Sequence, residues 1–125
     1  MNGVLHFLVT EASLGARIVI RSQIIQLGHC VDMALDVEST LVLVESKTYH
    51  LILIDAELNK GFNCYELIDT IREQSTCNKL TPIILLSASP HKILKNSLYP
   101  CFAKPMNIND VTKIINYWEE YTKNK

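Results

Sequence analysis

The feature that most constrains this chain is an unbroken run of large aliphatic residues, 51–54, that ends on the carboxylate of Asp55. A run this short and this rich in β-branched residues favours a strand buried on both faces, as in the middle of a parallel sheet. Asp55 would then lie at the carboxyl end of a central strand, where open α/β sheets place their binding crevices. The alternative is that Asp55 only caps the segment after the strand, and other parts of the chain have to decide between the two.

Strand-like and helix-like patterns alternate along the whole chain. The predicted strands are 4–9, 30–34, 51–54, 83–86 and 101–103, and helical patterns follow at 14–27, 37–47, 64–74, 91–98 and 108–121. Ser13, Asp36 and Asn63 are placed as helix N-caps, Asn107 or Asn109 caps the last helix, and Gly28 is placed to end the first one. This alternation predicts a doubly wound, five-stranded parallel α/β sheet in the order 2-1-3-4-5, with helices on both faces.

Length and composition restrict the kind of protein. A chain of 125 residues predicts one domain, 1–125. A net charge of −1 without a basic stripe argues against direct binding of nucleic acid or an anionic membrane. We find no apolar run of membrane-spanning length and no secretory signal pattern. The four cysteines lack CxxC spacing, so we expect reduced, mostly buried thiols in a cytoplasmic protein rather than a zinc or redox site.

Polar residues stand where four of the predicted strands end: Glu11, Asp55, Ser87 and Lys104. The carboxyl ends of parallel strands share one edge of a sheet, so these side chains are expected to meet there. Glu11 and Asp55 could hold magnesium, which needs only one or two carboxylates, and Asp55 could accept a phosphoryl group as a nucleophile. Ser87 and Lys104 could bind the phosphoryl oxygens. Glu57, near Asp55, is expected to be a solvated loop charge.

Several motifs occur together in an order and spacing that resembles the response-regulator receiver domains of the CheY-like family. They are the acidic turn near Glu11, Leu27-Gly28-His29, Leu51-Ile52-Leu53-Ile54-Asp55, Tyr65-Glu66-Leu67-Ile68, Thr81-Pro82-Ile83-Ile84-Leu85-Leu86-Ser87-Ala88 and Phe102-Ala103-Lys104-Pro105. The resemblance covers essentially the whole chain and implies a flavodoxin-like fold.

The resemblance also implies roles for individual residues. Asp55 matches the aspartate that is phosphorylated by a histidine kinase or a histidine phosphotransfer protein. Ser87 matches the switch hydroxyl, Lys104 the conserved-type lysine, and Phe102 the aromatic residue whose rotamer follows the phosphoryl group. Magnesium is the implied cofactor, and other domains of a hybrid sensor kinase are possible partners. Such a domain is not an enzyme beyond magnesium-dependent self-phosphorylation and dephosphorylation at Asp55.

Two departures from the family pattern keep a second function open. The family shows two adjacent acids after the first strand, whereas this chain has one, so that either Ala12 or Thr10 stands in the place of the other acid. The interval between Ser87 and Lys104 is short, which predicts a reduced fourth helix. Both features suit a degenerate receiver that docks to a partner without phosphorylation. An unrelated α/β enzyme is disfavoured, since the sequence has no Gly-rich phosphate loop and no nucleophile elbow.

Overall fold

The sheet is the one that the sequence predicts. The computed structural model describes residues 3–92 and 98–123. Its five strands are β1 (His6–Thr10), β2 (Cys30–Ala34), β3 (Leu51–Asp55), β4 (Ile83–Ser87) and β5 (Cys101–Ala103). Their order is β2-β1-β3-β4-β5, and every neighbouring pair is parallel. The predicted fold class and strand order are confirmed.

Four helices connect the strands or close the described chain. They are α1 (Leu14–Gln26), α2 (Val37–Ser46), α3 (Cys64–Gln74) and α4 (Ile108–Lys123). Between β4 and β5 the structure describes a single 3-10 turn, Pro90–Lys92, and most of the helical segment predicted at 91–98 lies outside the described residues. The longest described helix, α4, has 16 residues, and no helix in the described ranges combines the length and apolar character needed to cross a bilayer.

Local capping rules explain where the helices begin and end. The side chains of Ser13, Asp36 and Asn63 each accept hydrogen bonds from backbone N–H groups in the first turn of the helix that follows. Asn107 does the same for α4, since its side chain accepts from the N–H of Asp110 at 2.9 Å. Gly28, just after α1, has a φ of 87°, which a residue with a side chain rarely adopts.

The sheet separates two apolar cores. The side chains of β3 alternate between them: Leu51 and Leu53 pack with α1 and α4, whereas Ile52 and Ile54 pack with α2 and α3. All five residues of β3 and all five of β4 are buried, as expected for central parallel strands. The apolar interior therefore fixes the positions at which these strands end, and with them the positions of Asp55 and Ser87.

Two sequence expectations differ from the structure. The first strand was expected to stop at Val9, but Thr10 continues it, because Thr10 stays paired with Ala34 and Ile54 and its hydroxyl bonds to Thr40 of α2 at 2.7 Å. The expectation of mostly buried cysteines is wrong. All four are free thiols, but Cys30, on an edge strand, and Cys77, in the loop after α3, are exposed.

Candidate functional site

The four polar residues predicted to meet lie along one edge of the sheet. Glu11 follows β1, Asp55 ends β3, Ser87 ends β4 and Lys104 follows β5. Glu11 is 1% exposed, Asp55 3% and Ser87 0%. Such burial of carboxylates is rare unless a partner compensates their charge. We call this group of four residues and the loops around it the carboxyl rim.

Lys104 compensates the charge of both carboxylates. Its Nζ lies 2.9 Å from Glu11 Oε1 and 3.0 Å from Asp55 Oδ2. The lysine side chain is only 18% exposed, so that solvent screens these contacts weakly. The strands bring residues from three separate parts of the chain into one buried ion triad with a net negative charge.

The pKa values of Asp55 and Lys104 are both raised, but for different reasons. Burial raises the pKa of Asp55, and the negative charge of Glu11 adds to this, whereas hydrogen bonds from the Glu57 N–H and from Lys104 oppose it. Burial by itself would lower the pKa of Lys104, but its hydrogen bonds to Glu11 and Asp55 and their charges raise it overall. Lys104 is therefore held as a cation, and ionised Asp55 depends on that cation.

The direction of neighbouring side chains shows which residue takes the place of the missing acid. Thr10 points away from the rim, since its hydroxyl bonds to Thr40 under α2. Glu11 points into the rim, and Ala12 is exposed beside it. Of the two possible alignments, the geometry therefore favours the one in which Ala12 stands in place of the second acid. The guanidinium of Arg17 donates to the carbonyls of both Glu11 and Ala12, at 2.9 and 2.8 Å.

Glu57 is the residue at this site that sequence reasoning missed. Glu57 is exposed, as expected of a loop charge, but its carboxylate is not free: Ser87 Oγ donates to Glu57 Oε2 at 2.6 Å and the N–H of Ala88 donates to Oε1 at 3.1 Å. Its backbone N–H also donates to Asp55 Oδ1 at 2.9 Å. The available signal was its position two residues after Asp55, at the same sheet edge as Ser87.

Phe102 lies next to the rim rather than in it. It is paired with Leu86 in the register of β4 and β5, is partly buried, and packs against the core beneath α1 and α4. Its role as a switch residue stays a prediction.

The expected magnesium ligands are already engaged by the protein. Glu11 Oε1 and Oε2 accept from Lys104 and from the Ser13 N–H, and Asp55 Oδ1 and Oδ2 accept from the Glu57 N–H and from Lys104. Among residues 3–92 and 98–123, no group of three His, Cys, Asp or Glu side chains is arranged to hold a metal ion. Glu11 and Asp55 alone therefore do not form a prepared magnesium site, and a bound ion would have to compete with Lys104 for their oxygens.

Comparisons with known proteins agree on the architecture. The structure is similar to a CheY-like response-regulator receiver domain from Methylobacillus flagellatus, with a TM-score of 0.82 and 18% identity over 93% of this chain and 99% of that chain. It is also similar to the receiver domain of a sensor histidine kinase from Pseudomonas aeruginosa, described with a magnesium ion in its active-site cleft, with a TM-score of 0.77 and 21% identity over 93% of this chain and 98% of that one.

A third similar structure is the chemotaxis response regulator CheY4 of Vibrio cholerae, with a TM-score of 0.76 and 20% identity over 93% of this chain and 99% of that chain. No protein-family model and no curated protein sequence matches the chain. The similarity is therefore one of three-dimensional structure at low sequence identity. On that basis, the chain has the fold of the CheY-like response-regulator receiver domains.

Proposed function

We propose that this chain, as one receiver-like domain, acts in two-component or phosphorelay signalling and that Asp55 accepts a phosphoryl group. The donor is a histidine kinase or a histidine phosphotransfer protein, and the domain acts alone or within a hybrid kinase. The observation that carries this proposal is the contact of 3.0 Å between Lys104 Nζ and Asp55 Oδ2, at a rim where the hydroxyl of Ser87 ends the adjacent strand. A nucleophile, a fixed cation and a hydrogen-bond donor are groups that phosphoryl transfer uses.

The transfer uses these residues in separate roles. A carboxylate oxygen of Asp55 forms a bond to phosphorus, while the phosphorus–nitrogen bond of the donor phosphohistidine breaks and its electron pair stays on the imidazole. The product is an acyl phosphate on Asp55. Lys104 compensates negative charge on the phosphoryl oxygens, and Ser87 donates a hydrogen bond to one of them. Glu11 keeps Lys104 at the rim when Asp55 is modified.

Treatment with acetyl phosphate followed by intact mass measurement tests this proposal. We expect wild-type protein to gain one phosphoryl group and Asp55→Asn to gain none. The reaction is run with magnesium and with a chelator, and we expect it to be slower with the chelator, because a bound metal ion would add to the charge compensation by Lys104. Failure of the wild type to gain mass, under conditions that label an ordinary receiver domain, would count against phosphorylation at Asp55.

A second candidate is a docking module that works without phosphorylation. Asp55 is 3% exposed, Ala12 stands in place of an acid, and the hydroxyl of Ser87 already donates its hydrogen bond to Glu57. These observations favour a rim that is held closed by its own residues. This candidate predicts that Asp55→Asn binds its partner as tightly as the wild type, measured by titration of the purified partner. A strong loss of binding in that variant would remove it.

A further inference from the structure

The carboxylate of Glu57 spans two hydrogen-bond donors at the end of β4. Oε2 accepts from the hydroxyl of Ser87 at 2.6 Å, and Oε1 accepts from the backbone N–H of Ala88 at 3.1 Å. The hydroxyl proton of Ser87 points to Glu57, because an ionised carboxylate can only accept, and Ser87 Oγ in turn accepts from the N–H of Ser89 at 2.9 Å. Glu57 therefore occupies a pair of donors that converge on one anionic group.

These donors stand beside the nucleophile. Asp55 is paired with Leu86 in the register of β3 and β4, so that Ser87 and Ala88 come directly after the residue opposite Asp55. The backbone N–H of Glu57 donates to Asp55 Oδ1, while its carboxylate accepts from Ser87 and Ala88, so that Glu57 connects the nucleophile to the donors. A hydroxyl and an amide N–H that point together are suited to the oxygens of a tetrahedral anion.

We propose that the Glu57 carboxylate is an internal competitor for the phosphoryl-binding donors and has to leave Ser87 and Ala88 before they can bind a phosphoryl group on Asp55. The inference rests on the proposed function. Two anionic groups cannot share the same two donors, and the charge of Glu57 also repels an incoming phosphoryl group. Because Glu57 is on the whole exposed, its carboxylate is hydrated on release, and phosphorylation would expel it from the rim into solvent.

The first test measures the donors without any phosphorylation. Inorganic phosphate is titrated into Asp55→Asn and into the double variant Asp55→Asn/Glu57→Ala, and the Ala88 amide is followed by NMR. We expect phosphate to shift this amide in both proteins, with an affinity about tenfold higher in the double variant than in Asp55→Asn, because a charge-assisted competitor has been removed. Equal responses of the two proteins would overturn the inference.

The second test measures phosphorylation by acetyl phosphate in wild type, Glu57→Ala and Glu57→Gln. We expect Glu57→Ala to react about tenfold faster than wild type. The rate of Glu57→Gln should lie between those of the other two proteins. Its amide oxygen can still accept from one of the two donors, but its NH₂ group faces the other donor and cannot accept from it. Glu73→Ala, which removes an exposed acid near the end of α3, is the matched control and should react as the wild type does.

The outcomes separate this inference from the proposed function. Equal rates in wild type and Glu57→Ala would overturn the competitor role of Glu57, while phosphorylation of Asp55 itself would stand. If none of the proteins is phosphorylated, the proposed function fails, and the phosphate titration alone then tests whether Glu57 competes for the donors. Tighter phosphate binding at Ala88 in the double variant than in Asp55→Asn would then still support competition at these donors, and equal binding would remove it.

Discussion

The two ends of the sheet bury polar groups of different kinds: charged groups at one end and a neutral amide at the other. At the carboxyl rim, Glu11, Asp55 and Lys104 form a buried triad of charges. At the amino end, the central polar residue is Asn78, which is neutral and 0% exposed. Its side-chain amide makes four hydrogen bonds to the segments around it, through the Tyr49 N–H, the Val44 and Lys47 carbonyls and the Thr81 hydroxyl.

The difference indicates what each end does. The Asn78 network pairs neutral groups with backbone, which costs little to bury and joins the end of α2 to the beginnings of β3 and β4. The carboxyl rim carries three charges where neutral residues could have packed, and burial raises the pKa of Asp55. A buried ion cluster is weak support for stability, so its presence at this sheet edge agrees with the chemistry proposed for Asp55.

The largest expected effect is at the amino end. Asn78→Ala leaves the buried N–H of Tyr49 and the carbonyl of Lys47 without partners, so we expect a loss of about 4 kcal/mol in the free energy of unfolding. The loss should be the same at pH 5 and pH 8, because no charge is involved. Urea unfolding followed by circular dichroism measures it. Asn109→Ala, on the exposed face of α4, is the control and should change stability by less than about 0.5 kcal/mol.

The second effect breaks the carboxyl rim instead. Lys104→Met leaves Glu11 and Asp55 as uncompensated buried carboxylates, so we expect a loss of about 3 kcal/mol at pH 7. The loss should shrink toward pH 5, because a carboxylate without its cation has a raised pKa and takes up a proton. A penalty that is independent of pH would contradict this account of the rim.

The matched control for Lys104 is Lys47, whose Nζ lies 2.8 Å from Asp32 Oδ2 although its side chain is 57% exposed. Exposed ion pairs of similar length contribute little because water screens them. We therefore expect Lys47→Met to cost less than about 1 kcal/mol at any pH, so that equal losses in the two lysine variants would remove the distinction between the two ends.

The sequence predicted those features that depend on nearby residues. The apolar runs of β3 and β4, the caps at Ser13 and Asn63 and the turn at Gly28 follow from patterns of a few residues, so that their positions could be read directly. The convergence of Asp55 and Lys104 needed only the additional rule that parallel strands end at one edge.

What the sequence did not reveal depends on contacts between distant segments. Thr10 belongs to β1 because it pairs with Ala34 and Ile54 and its hydroxyl bonds to Thr40, 30 positions away. The local sequence pattern suggested a polar break at this position. Glu57 likewise accepts a hydrogen bond from Ser87, 30 positions away, and no local pattern shows that these two loops lie close together. Long-range pairing of polar side chains has no periodic signal in a sequence.

The third prediction adds the missing charge to the carboxyl rim. Ala12→Asp places an exposed carboxylate next to Glu11, so we expect magnesium affinity to rise about tenfold, since the number of charged oxygen ligands sets the affinity of such sites. Titration of magnesium followed by NMR of the rim amides measures it. Thr48→Asp adds the same charge at the exposed amino end and should leave the affinity unchanged. Equal affinity in the wild type and Ala12→Asp would show that the second acid is not what the rim lacks.

The smallest expected effect concerns two histidines at the amino end. The Nδ1 atoms of His29 and His50 accept from the N–H groups of Leu5 and His6, each at 2.9 Å, which a protonated ring cannot do. Burial lowers the pKa of both rings, and for His50 the charges of His6 and His29 lower it further. Below about pH 6.5 these histidines bind protons more readily in the unfolded chain than in the folded one. The two neutral rings therefore stabilise the fold fully above about pH 6.5, and this stabilisation is lost as the pH falls through their lowered pKa values.

A double variant isolates this contribution from the carboxylates, which titrate in both proteins. In His29→Asn/His50→Asn the side-chain oxygens can accept from the same N–H groups but carry no titratable ring. We expect the urea midpoint, followed by the fluorescence of Trp118, to fall less between pH 7 and pH 5 in this variant than in the wild type. The same fall in both proteins would mean that the histidines at the amino end do not sense pH, and that every proton-linked change in stability arises elsewhere, with the acidic groups of the carboxyl rim as the first candidates.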